Sequence, residues 1–187
     1  MVKIVTKWAY LEPLLYAGEA LHLEEVSKKL KKNHSAVRKY LNYFEGQGIL
    51  NKKIKGRLTT YNINLSHPLI IDYIVLVEKE KLVNKCRTDL IINELVGFLH
   101  SLINENNKAL IFGSSAIDSK KANDIDLLIT GKINFEKDLK LFEKKFNIKI
   151  HLINTSSLES INESLRKEIT GKHLIIQGSE EIIKWLI

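Results

Sequence analysis

Ala109-Leu-Ile-Phe-Gly-Ser-Ser-Ala-Ile-Asp-Ser-Lys-Lys-Ala-Asn-Asp-Ile-Asp-Leu-Leu-Ile-Thr130 is the stretch around which the chain is organised. Leu110 to Phe112 is an apolar run short enough to be a buried strand. It breaks at Gly113-Ser114, where glycine permits close backbone approach and serine favours the start of a helix. The chain turns apolar again at Asp124-Ile125-Asp126-Leu127-Leu128-Ile129. Strand side chains alternate, so Asp124 and Asp126 share one face while Ile125, Leu127 and Ile129 share the other. Two neighbouring carboxylates repel unless a cation lies between them. Mg²⁺ suits that place, because it prefers hard oxygen ligands and completes its shell with water and phosphate oxygens. The turn at Gly113, Ser114 and Ser115 offers backbone N–H groups to the same phosphates. Turn and carboxylate pair together describe a site for a nucleoside triphosphate.

Gly113-Ser114, nine residues, then Asp124-x-Asp126 resembles the polymerase-β-like nucleotidyltransferases, and most of all their small minimal members of archaeal type. Lys167-Glu168-Ile169, His173 to Ile176 and Gly178-Ser179-Glu180-Glu181 are similar to the way these small domains end. The resemblance covers residues 88–187. It implies a mixed sheet flanked by helices, with Gly113, Ser114 and Ser115 holding the triphosphate of an NTP. It further implies Asp124 and Asp126 on two divalent metals, Mg²⁺ or Mn²⁺. Members of the family place a third carboxylate at the centre of a later strand. The matching strand here, Ile148 to Ile153, has His151 there. Neutral imidazole is a poor ligand for Mg²⁺ and suits softer metals. Three alternatives follow: another residue such as Asp118 substitutes, His151 works with a different metal, or turnover is lost. His151 is also a candidate general base toward an acceptor hydroxyl, against the plainer role of a polar residue at a strand end. Lys120 and Lys121 lie between turn and aspartates, as phosphate contacts or as solvated loop cations.

Length and composition frame this reading. A chain of 187 residues holds one ordinary domain or two small ones. Cys86 is the only cysteine, which excludes internal disulfides and thiolate zinc clusters and fits a reducing cytosol. The N-terminal apolar patch is interrupted by Glu12 and Pro13, a poor secretory signal. The run from Leu69 to Val77 contains Asp72 and is too short to span a bilayer. The expected location is the cytoplasm, with no membrane partner.

Charge divides the chain. Residues 1–66 hold 12 Lys and Arg against 5 Glu, a net of +7, whereas residues 67–187 are balanced at 17 of each sign. A compact basic unit of this kind suits a polyanion, with nucleic acid foremost. Within it the pattern predicts helices over Trp8 to Tyr16, His22 to Leu30 and from Ser35 to the stop at Gly46-Gln47-Gly48. Two strands follow, Ile49 to Ile54 and Leu58 to Ile63, around a Lys55-Gly56 turn. This order resembles a winged helix-turn-helix, which implies that the second helix of the motif enters the major groove of double-stranded DNA. That helix offers His34, Ser35, Arg38, Lys39 and Asn42. Lys52, Lys53, Lys55 and Arg57 on the wing would meet phosphates. Such modules also bind RNA or protein, or pair two chains.

Beyond Ser66-His67-Pro68, helices are expected over Leu69 to Lys85, from Thr88 or Asp89 through Leu102, over Phe135 to Phe146, over Leu158 to Lys167, and from Glu180 to the end. The architecture expected is thus an N-terminal winged helix over 1–66, a connecting helix over 67–87 and a nucleotidyltransferase domain over 88–187. Function follows as an NTP- and metal-binding protein that transfers NMP to a protein or nucleic-acid acceptor by two-metal in-line displacement. Two alternatives stand beside it: a nucleotide-binding transcription regulator without turnover, and the antitoxin of a toxin–antitoxin pair, with a partner protein. A two-fold homodimer would suit a helix-turn-helix reader of palindromes.

Overall fold

A computed structural model describes residues 6–56, 58–117, 124–131 and 134–187. The chain forms two compact units, passing from one to the other between Glu80 and Lys81.

In the first unit the helix expected over Trp8 to Tyr16 is replaced by two 3₁₀ turns, Lys7–Tyr10 and Glu12–Leu14. Pro13 has no N–H and its ring clashes with the preceding turn, so a continuous α-helix cannot pass through it. The short strand β1 (Leu21–His22) precedes α1 (Leu23–Leu30). Helix α1 ends at Lys31 in the left-handed conformation (φ 54°), and Asn33 caps α2 (His34–Gly46) by accepting from the Ala36 N–H at 2.8 Å. Val37, Leu41 and Phe44 recur at helical spacing, and all three are fully buried. Strands β2 (Leu50–Lys55) and β3 (Leu58–Ile63) form a hairpin with Gly56 at φ +62°. Strand β1 adds to β3, giving an antiparallel sheet of order β1-β3-β2. A helix-turn-helix followed by a hairpin is the arrangement of a winged helix. Helix α3 (Ile70–Thr88) begins in this unit. Its Glu78 is almost fully buried beside Tyr16. Burial first, then the charge and hydrogen bond of Glu78, push the Tyr16 phenol pKa far up.

In the second unit Asp89 caps α4 (Leu90–Leu102), accepting from the Ile92 N–H at 3.3 Å. There follow β4 (Ala109–Phe112), α5 (Gly113–Ile117), β5 (Asp124–Thr130), α6 (Glu136–Phe146), β6 (Lys149–Thr155), α7 (Glu163–Gly171), β7 (His173–Gln177) and α8 (Ser179–Leu186). The sheet order is β6-β5-β4-β7, with β5 and β6 parallel and the other pairs antiparallel. It is therefore mixed, with helices on both faces. Ile125, Leu127 and Ile129 join Ile111, Leu174 and Ile176 against Ile92, Leu95 and Leu99 of α4. Leu110, Leu128 and Ile175 are buried on the opposite face, where α8 buries Ile182 and Ile183 beside β7. One expected element divides. Leu158 to Lys167 becomes a 3₁₀ turn, Leu158–Ser160, and then α7. Extended backbone at Ile161 and the Asn162 side chain, accepting from the Leu165 N–H at 2.9 Å, restart the helix.

Asp89 has a second role, as it also pairs with Lys85 at 3.1 Å with little exposure of either side chain. Asp89→Ala is expected to destabilise the second unit by about 1–2 kcal/mol in urea titrations, because the α4 cap is lost. Asp89→Asn keeps a capping oxygen and is expected to recover part of that loss.

Candidate functional sites

The carboxylate site is built where β4, β5 and β6 come together at one end of the sheet. Phe112, the last residue of β4, lies opposite Asp126, and Asp126 lies beside His151 in the parallel β5–β6 register. Asp124 lies beside Lys149. Both aspartates are half-buried, while Ile125 and Leu127 between and beyond them are fully buried on the other face. The alternation expected from the sequence holds. His151 Nδ1 is 3.2 Å from Asp126 Oδ1, with the imidazole side chain 64% exposed and the carboxylate 21%.

Gly113 is required here for two separate reasons. Its φ of +70° is a conformation that L side chains rarely adopt. A Cβ at this position would also lie 2.7 Å from Asp126 Oδ2 and 3.8 Å from Glu168 Oε1. The bare backbone lets the Asp126 carboxylate close against the turn. The Gly113 N–H, however, donates to the Lys172 carbonyl at 3.1 Å, so it is taken by the fold and not by a ligand. Ser115 is fully buried, its hydroxyl donating to the Phe112 carbonyl at 3.1 Å, whereas Ser114 is exposed. Of the three turn residues, Ser114 is the one whose side chain faces solvent.

The structure brings together Gly113, Asp126 and His151, and it adds Glu168 of α7. In the sequence Glu168 stands out only as part of the terminal Lys167-Glu168-Ile169 pattern. Its approach to the turn depends on how α7 packs, so no local spacing announces it. His173 belongs to the same terminal pattern. It is buried on β7 beside Phe112, and its Nδ1 donates to the Ile169 carbonyl at 2.8 Å, which places the proton on that nitrogen. Asp118, Lys120 and Lys121 lie outside the described residues.

The second candidate surface is on the winged helix. His34, Ser35, Arg38, Lys39 and Asn42 are all exposed on α2, opposite the buried Val37, Leu41 and Phe44. The Ser35 hydroxyl is held at the helix start by Asn33 Oδ1 at 3.1 Å. Asn42 is more constrained than its sequence position implies. Its carbonyl oxygen accepts from Lys52 Nζ and from Tyr61 Oη, both at 3.1 Å. Tyr61 is buried, and burial raises its pKa against the opposing charge of Arg38. Asn42, Lys52 and Tyr61 thus form one connected group joining α2 to the hairpin, with the exposed Arg38 on the same helix.

The two described wing cations lie on different faces of β2. Lys52 shares the strand face of buried Leu50, while Lys53 points to the other face. Arg57 and the Lys55 side chain lie outside the described residues. On the far flank of α2, Lys7 Nζ donates to Tyr43 Oη at 2.8 Å and lies 4.7 Å from the centroids of both the Trp8 and Tyr43 rings.

No protein-family model matches this chain, and no curated protein matches it. Two solved structures are similar in part. MepR, a transcription regulator of the Staphylococcus aureus multidrug efflux pump MepA, is 17% identical over 52% of this chain and 79% of its own, with a TM-score of 0.34. TrmBL2, an archaeal chromatin protein whose structure shows a novel mode of DNA binding, is 16% identical over 87% of this chain and 66% of its own, with a TM-score of 0.28. At such values the winged-helix description rests on the element order and strand register given above.

Proposed function

We propose that this protein is a DNA-binding regulator whose second unit binds a nucleoside triphosphate with a divalent metal. The observation that carries the DNA-binding reading is the exposed patch of His34, Arg38, Lys39 and Asn42 on α2, with Lys52 tied to Asn42 from the hairpin. Arg38 and Lys39 supply cations for the duplex, and the Lys52–Asn42 hydrogen bond links the hairpin to the same helix. The basic excess of residues 1–66, net +7, supplies the long-range attraction.

Among the described residues no group of three or more His, Cys, Asp or Glu is arranged to hold a metal ion, so the metal–nucleotide reading rests on the Asp124–Asp126 pair together with the ligand's own phosphate oxygens. Asp124 and Asp126 offer hard oxygens from one strand face, which suit Mg²⁺ or Mn²⁺. The metal, when bound, would neutralise phosphate charge. Gly113 leaves room for the Asp126 carboxylate, and Ser114, whose side chain is exposed, would donate to a phosphate oxygen.

Nucleotidyl transfer is a second reading, favoured by the Asp126–His151 contact. An acceptor hydroxyl would give its proton to an exposed imidazole that Asp126 orients. The antitoxin and homodimer alternatives gain no comparable observation.

Fluorescence anisotropy with duplex DNA tests the first reading. Arg38→Ala/Lys39→Ala is expected to weaken binding by about tenfold or more and to lower the salt slope by about one to two charges. Unchanged affinity and slope would sink it. Equilibrium dialysis with labelled NTP and Mn²⁺ addresses the second unit. Asp124→Asn/Asp126→Asn is expected to abolish metal-dependent retention. Gly113→Ala is expected to reduce retention and to destabilise the fold by about 1–2 kcal/mol, from the positive φ and the close carboxylate. His151→Ala separates the two readings of that site: nucleotide retention without label transfer in either protein supports the regulator, and transfer lost only in the variant supports the enzyme.

A further inference from the structure

Helices α4 and α6 bound an open groove of about 590 Å³ within the second unit, lined by none of the carboxylate-site residues. This volume lies in the range of small-molecule sites. The aromatic rings of Phe98, Phe142 and Phe146 line it, with successive centroids 5.1 and 4.5 Å apart. Gly97 leaves the α4 surface open, since no atom lies within 4 Å of where its Cβ would stand.

The charges on the rim give the groove its chemistry. Glu94 and Asp138 contribute two carboxylates and Lys145 one ammonium. Lys145 Nζ is 3.8 Å from Glu94 Oε2 and 4.8 Å from the Phe146 ring centroid. The protein's own cation therefore occupies the place between a carboxylate and an aromatic face that a ligand cation would take. Asp138 is half-buried and has no ion-pair partner among the described residues. The lysines at 137, 140 and 144 are not among the lining residues.

We propose that this groove binds a small molecule with a flat apolar body and one cationic nitrogen. The exposed parts of Phe98 and Phe146 take the body by apolar burial, and the Phe146 face that Lys145 approaches attracts the cation, while Phe142 beneath them belongs to the core. Glu94 and Asp138 neutralise it, displacing Lys145 toward solvent. The site is independent of the DNA and nucleotide readings above.

The test is a fluorescence titration of the full, nucleic-acid-free chain with two probes of one ring system and opposite charge. One is a naphthalene bearing a quaternary ammonium; the other is anilinonaphthalene sulfonate. The cationic probe is expected to bind about tenfold tighter or more. Glu94→Gln and Asp138→Asn are each expected to weaken it by about threefold, and Lys145→Ala to strengthen it by a similar factor. Asp138 also stands in the first turn of α6, where it favours the helix dipole. A role confined to the dipole would leave probe affinity unchanged in Asp138→Asn. Equal or tighter binding of the sulfonate, no saturable binding of the cation, indifference to both carboxylate changes, or weakening by Lys145→Ala would each overturn the proposal.

Discussion

Burial of one face of β5 is the constraint on which the second unit depends. Ile125, Leu127 and Ile129 are wholly excluded from solvent, each contributing on the order of 1.5–3 kcal/mol. A slip of one residue would bring Asp124 and Asp126 into that apolar layer, where unpaired carboxylates are strongly disfavoured. The hydrophobic face thus fixes the register, and the register fixes the carboxylates. His151 and Gly113 meet Asp126 because the neighbouring strands are held in the same alignment. Site geometry here is a consequence of core packing.

The first unit applies a comparable rule with less symmetry. Val37, Leu41 and Phe44 anchor α2, so the opposite face must carry its polar residues into solvent. The hairpin is then braced against that helix by Lys52 and Tyr61, which both donate to Asn42. A surface that could have been a loose array of cations is partly fixed. The bracing also changes the roles of its members. Lys52 belongs with the helix patch, and Lys53 faces elsewhere.

The regular elements were largely legible in the sequence. The hairpin, α2, α4, α6 and the strands at 109–112 and 124–130 follow from apolar periodicity and from caps such as Asn33 and Asp89. The failures have local causes. Pro13 broke a stretch whose apolar pattern is otherwise helical. Asn162 restarted a helix that periodicity alone would run together. Strand β1, only two residues long, has no pattern of its own and exists because β3 offers it an edge.

Sequence by itself determined that Asp124 and Asp126 share a strand face and that the positive charge is concentrated in the first third. It also determined that Gly113 follows a buried strand, since these properties depend on spacing and composition. Tertiary structure decided what those residues touch. It placed Glu168 near the turn, gave the Gly113 N–H to Lys172, held His151 to Asp126 and tied Lys52, but not Lys53, to Asn42 of α2. Such contacts join elements far apart in the chain. Their geometry is set by how the helices and strands pack, which no local pattern encodes.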